Sequence, residues 1–154
     1  MKRILKNPAV NALGLSLFTA FYALIFIVTS GHIEFESLLY YNRAMSIQSF
    51  WTGWSNFLAS GRHSFIAYTL IGITILVVLM LLLRRHPYDE YHTANLAQCL
   101  AVAAILTLIA IAGFYLMILS DPNGIVEKFT LFIVIHWTTV VLADLAYVSV
   151  SRWK

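Results

Sequence analysis

The chain has 154 residues, 60% hydrophobic and 11% charged, with a formal net charge of +3 and a mean hydropathy of +0.81. Soluble domains average roughly 45–50% apolar and about 25% charged residues, so this composition excludes a water-soluble globular protein. It points to an all-α integral membrane protein, because a hydrocarbon core ~30 Å thick takes about 20 apolar residues to cross at about 1.5 Å per residue. Four such stretches are present, and they predict a single domain of four transmembrane helices in an antiparallel bundle.

The first span is expected over residues 9–29. Lys2, Arg3 and Lys6 precede it, and Pro8 suits the opening turn of a helix because its missing N–H costs little there. Val28-Thr29-Ser30 resembles a small-residue cleavage site. The apolar stretch nevertheless exceeds the ~7–15 residues of a secretory signal, so a retained anchor is expected. Ala12, Ser16 and Ala20 recur at four-residue steps, a small face suited to close helix contact within the chain.

Between the first two spans lies the longest loop. Ile47, Phe50, Trp51, Trp54, Phe57 and Leu58 share one side of a helix expected over about residues 46–60, with Ser46, Gln48, Ser49, Thr52, Ser55 and Asn56 on the other. Tryptophan favours the headgroup boundary, so this segment is expected to lie as an amphipathic helix on the outer leaflet. A lid over the bundle, or a docking face built on Phe50, Trp51, Trp54 and Phe57, is the alternative. Upstream, His32, Glu34 and Glu36 share a face if extended and could bind a cation, although a solvated loop is the plainer reading.

The second span, 65–83, stops at Arg84-Arg85-His86-Pro87. The third, 96–119, carries a stripe of small residues, Ala94, Ala97, Ala101 and Ala104, whose default use is close contact within the chain, and ends at the turn Asp121-Pro122-Asn123-Gly124. The fourth covers 129–150 and is followed by Arg152, Trp153 and Lys154. Lys2, Arg3, Lys6, Arg84, Arg85, Arg152 and Lys154 fall on one side, against Arg43, Arg62 and Lys128 on the other. The excess of cations marks the cytoplasmic side, so both ends are expected to face the cytoplasm of a plasma membrane.

The fourth span carries the two costliest residues, His136 and Asp144. A carboxylate deep in a membrane costs on the order of 2.5–3.5 kcal/mol on insertion scales. At about 100° per residue, His136, Asp144 and Tyr147 fall within a strip ~80° wide, with Thr139 flanking it, so the strip should face the bundle interior. Eight residues separate His136 from Asp144, ~12 Å along the axis, too far to share a proton or metal directly. Depth matching offers Asn11, Gln98 and Cys99 as neighbours of Asp144, with Arg84 or Arg85 reaching down, and Tyr22, Thr74 and Gly113 as neighbours of His136. The candidate polar site is therefore His136, Thr139, Asp144, Gln98 and Asn11. Its plain reading is a structural hydrogen-bond network; the sharper one is proton or cation handling.

Cys99 is the only cysteine, which rules out an internal disulfide and suits helix packing. A b-type haem needs two facing histidines at one depth, and only His136 lies at membrane depth, so a one-chain cytochrome is not expected. No nucleophile elbow, metal-binding His-Glu helix or phosphate loop occurs, and no cofactor is expected. The cations sit at span ends rather than on one face, which excludes nucleic acid as a partner. The expected partners are the lipid bilayer and either a second copy or another membrane protein. The leading functional class is thus a non-enzymatic membrane subunit. An oligomeric channel or carrier using Asp144 and His136 comes second, and a membrane redox or enzyme subunit third.

Overall fold

The computed structural model describes residues 8–29, 49–83 and 90–152; 93% of these are helical, with no strand among them. A lipid-exposed backbone has no water to bond, so each apolar run closes its own hydrogen bonds as a helix despite its many β-branched residues. The helices are α1 (Pro8–Thr29), α2 (Ser49–Ala59), α3 (His63–Leu82), α4 (Glu90–Ser120) and α5 (Ile125–Arg152). All but α2 are long and apolar enough to cross a membrane. The 32–36 segment, residues 46–48, the 84–89 run, Lys2, Arg3, Lys6, Arg43 and Lys154 lie outside the described residues.

Three of the four long helices overrun the expected spans, most of all α4, whose 31 residues reach ~46 Å, while α3 starts two residues early and ends one short. His63, expected in the outer loop, opens α3 and is buried against the backbone of Leu58 and Ile27. Two glycines make the tight connections. Gly61 takes φ +73° between α2 and α3, its N–H bonding the Leu58 carbonyl at 3.1 Å, and Gly124 takes φ +64° before α5.

Helix α5 is the centre of the fold and packs on every other helix, whereas α3 and α4 meet little and flank the α1–α5 pair. Spacing explains the packing. On α3 the buried residues are His63, Ala67, Leu70, Thr74, Val77 and Leu81, alternating steps of four and three. On α1 the buried stripe is Ala12, Ser16, Thr19, Ala20, Ala23 and Ile27, nearly all small, so its backbone approaches its neighbours closely. One core layer joins Ala23, Ile27, Leu70, Ile133, Trp137 and Val141; the other joins Ala12, Val77, Leu81, Leu96, Tyr147 and Val148.

The α4 stripe behaves differently from the α1 stripe. Ala94, Ala97, Ala101 and Ala104 are all exposed, and α4 contributes only Leu96 and Ala103 to the buried core. Contact within the chain, the default expectation for such a stripe, is therefore not its use here. A different side of α4 is turned inward: Leu96 and Ala103 are buried, Leu96 in the layer with Ala12, Val77 and Tyr147, and Thr107 meets His136 of α5.

Candidate functional site

The polar side chains within the spans are gathered onto α5 and its neighbours in separate centres. Nearest the expected cytoplasmic end, Asp144 is fully buried and its Oδ2 accepts a hydrogen bond from Ser16 Oγ of α1, itself 2% exposed. Oδ1 has no hydrogen-bond partner among the described residues. Cys99 of α4 packs against the neighbouring core layer that holds Leu96, Tyr147 and Val148. Gln98, beside it, is exposed and lines a cleft between α4 and α5, and Asn11 is exposed on α1 with a partner of its own.

Two turns along α5, His136 is half-buried in a different setting. Its Nδ1 lies 2.9 Å from Thr107 Oγ1 of α4, and its ring stacks between Tyr22 of α1 (5.9 Å, 17°) and Phe132 of α5 (6.2 Å, 13°). Tyr22 and Phe132 also line an apolar groove of ≈ 420 Å³ between α1 and α5, walled by Phe21, Ile25, Phe26 and Phe129. Thr74 does not serve His136. It accepts from Trp137 Nε1 at 3.0 Å and donates to the Leu70 carbonyl at 2.7 Å, tying α5 to α3. Thr139 donates to Ile135 O of its own helix at 2.8 Å and joins neither centre. The five residues grouped at sequence level are thus dispersed, with Asp144 and His136 each held by a different neighbour.

A third centre lies where α2 meets the start of α5. Glu127 is fully buried: its carboxylate accepts from Ser55 Oγ and its carbonyl accepts from Trp54 Nε1 at 3.0 Å. Lys128, 2% exposed, donates to the carbonyls of Asp121 and Asn123 (2.8 Å to the latter), pairs with the Asp121 carboxylate at 3.3 Å and lies 5.8 Å from the Trp51 ring centre. Asp121 Oδ1 in turn accepts from the Asn123 backbone at 3.0 Å, an Asx turn that sets the α4–α5 corner. Of the expected docking face, Trp51, Trp54 and Phe57 are half-buried and Phe50 is 57% exposed. Ser55, placed by periodicity on the polar side, points inward with Leu58 because Glu127 offers it an acceptor that water cannot reach.

Sequence reasoning missed Ser16, Thr107, Trp137 and the Ser55–Glu127 pair as polar partners. Ser16 had a signal: it is the hydroxyl in the four-residue repeat Ala12, Ser16, Ala20, eight residues from the start of α1, as Asp144 is eight from the end of α5. Thr107 had none beyond being a lone hydroxyl in an apolar run. Among the described residues no three His, Cys, Asp or Glu side chains gather to hold a metal ion. Comparison with family models, curated proteins and solved structures gives no match.

Proposed function

We propose that this protein is a multi-pass membrane subunit without enzymatic activity, which assembles with itself or with another membrane protein through the outward face of α4. In this reading the four long helices cross the plasma membrane as an antiparallel bundle with both ends of the sequence in the cytoplasm, as the Lys and Arg asymmetry supports. Helix α2 lies at the outer leaflet, held down by Trp54 and Ser55 on Glu127.

The observation that carries the proposal is the exposed stripe of Ala94, Ala97, Ala101 and Ala104. Only 6% of the most apolar window of α4 is buried, against 28–39% in the other three long helices. Lipid tails are as apolar as any side chain, so helices associate in a bilayer by close packing and by hydrogen bonds rather than by a hydrophobic drive. A flat alanine face at alternating three- and four-residue steps is what permits that approach, and α1 uses the same device inside the bundle. Asp144 on Ser16 and His136 on Thr107 have separate partners two turns apart, which supports a scaffold more than a polar path shared by the two.

The test is the mass of the purified particle in mild detergent or nanodiscs, with crosslinking through Ala101→Cys. The expected result is more than one chain per particle, reduced to a single chain by Ala97→Leu with Ala101→Leu. A wild-type particle of one chain, binding no other membrane protein, would refute the proposal.

A further inference from the structure

Asp144 is 0% exposed, with one oxygen served by Ser16 and the other by nothing among the described residues. A carboxylate stripped of water in an apolar setting needs several hydrogen bonds or a cation to persist, whereas the neutral acid needs far less. Among the described residues the groups around it supply no cation. Ser16 reaches it from α1, and the core layer nearest it holds Cys99 of α4, Tyr147 of α5 and the apolar Ile73, Val77, Met80 and Leu81 of α3. The next titratable side chain along α4 is His92, ~10 Å from Cys99 at about 1.5 Å per residue. A metal ion would need more ligands than Ser16 and one carboxyl provide, and among the described residues no ligating cluster exists.

Beside this centre lies a cleft of ≈ 280 Å³ between α4 and α5, with Asn95, Gln98, Cys99 and Tyr147 among its lining and Ala143 and Ala146 as small walls. A water takes ~30 Å³ of liquid volume, so several fit. Gln98 and Ala146 are exposed, so the cleft is open to the surroundings. Counting ~20 residues of hydrocarbon core back from Ser120 reaches about Ala101, which puts Asn95 and Gln98 at the inner boundary of the membrane. Tyr147, three residues beyond Asp144 on α5, and Cys99 belong both to the cleft wall and to the core layer at that level.

We infer that Asp144 is a protonation site, carried as the neutral acid and exchanging its proton with the inner aqueous side through the cleft between α4 and α5. Tyr147 and Cys99 form the last step between the cleft and the carboxyl. This site does not depend on assembly through α4.

The test uses the full chain in lipid vesicles. Infrared spectra at neutral pH should contain the carbonyl stretch of a protonated carboxyl, shifted on transfer to deuterium oxide and lost in Asp144→Asn. Filling the cleft with Ala146→Phe should slow that isotope shift. A second measurement stands even if Asp144→Asn fails to fold. A hydrophobic carbodiimide reacts with a protonated carboxyl: the O–H adds across one C=N bond, the proton goes to nitrogen, and the acyl group then moves from oxygen to nitrogen to leave a stable acylurea. Digestion after Lys128 and Arg152 releases residues 129–152, in which Asp144 is the only acid, so an adduct on that peptide reports this residue alone. Absence of the carbonyl band at neutral pH would show an ionised Asp144 and overturn the inference. An isotope shift equally fast in Ala146→Phe would overturn the cleft as its route.

Discussion

Replacing Ser16 with alanine removes one hydroxyl from a close-packed helix contact and leaves Asp144 without its hydrogen-bond donor from α1. The volume change is small, so the cost is electrostatic rather than a cavity. Interhelical hydrogen bonds in membranes average ~0.6 kcal/mol and reach ~1.7 kcal/mol in double-mutant cycles. A bond to a charged acceptor is worth about 1.5–3 kcal/mol. With Asp144 carried as the neutral acid, Ser16→Ala should lower stability by about 1 kcal/mol, and Ser16→Ala with Asp144→Leu should cost less than the two separate changes added together. The assay is reversible unfolding in mixed micelles of the two single variants and the double variant, from which the coupling energy follows. Sites that do not interact add to within about 0.3–0.5 kcal/mol, so a coupling inside that range would refute direct contact between α1 and α5 at this pair. A coupling above ~2 kcal/mol would instead indicate an ionised Asp144.

Ser55→Val should leave the buried Glu127 carboxylate short of a donor and lower stability by ~1–3 kcal/mol, whereas Ser55→Val with Glu127→Leu should recover most of the loss; thermal unfolding in detergent measures both. Gly61→Ala should cost ~1–2 kcal/mol in the same assay. A Cβ there would meet open space, so the penalty comes from φ +73° alone, and an unchanged melting temperature would contradict that backbone geometry.

Much of the architecture was legible because lipid imposes a simple rule. A run of about 20 apolar residues must be a helix, and its charged ends must lie near water. That rule locates four runs long and apolar enough to span from composition, the flanking charges and the turn at Asp121–Gly124. The cost of a carboxyl or an imidazole at membrane depth likewise singles out Asp144 and His136 before any neighbour is known.

Only the tertiary structure decided what those residues meet. A helix apolar on every side carries no periodic signal for its rotation about its own axis, so nothing in the sequence said that α4 would turn Leu96, Ala103 and Thr107 inward and leave its alanine stripe outside. Depth along an axis can be counted residue by residue, which is why Tyr22 was found beside His136. Azimuth cannot, which is why Ser16, not Gln98 or Asn11, reaches Asp144, and why Thr74 serves Trp137. Glu127 and Lys128 read as outer charges, and they became buried because α2 folds over them and supplies Ser55, Trp54 and Trp51. Apolar patterning sets where each chain segment lies relative to the membrane; side-chain fit between neighbouring helices sets which polar groups find each other.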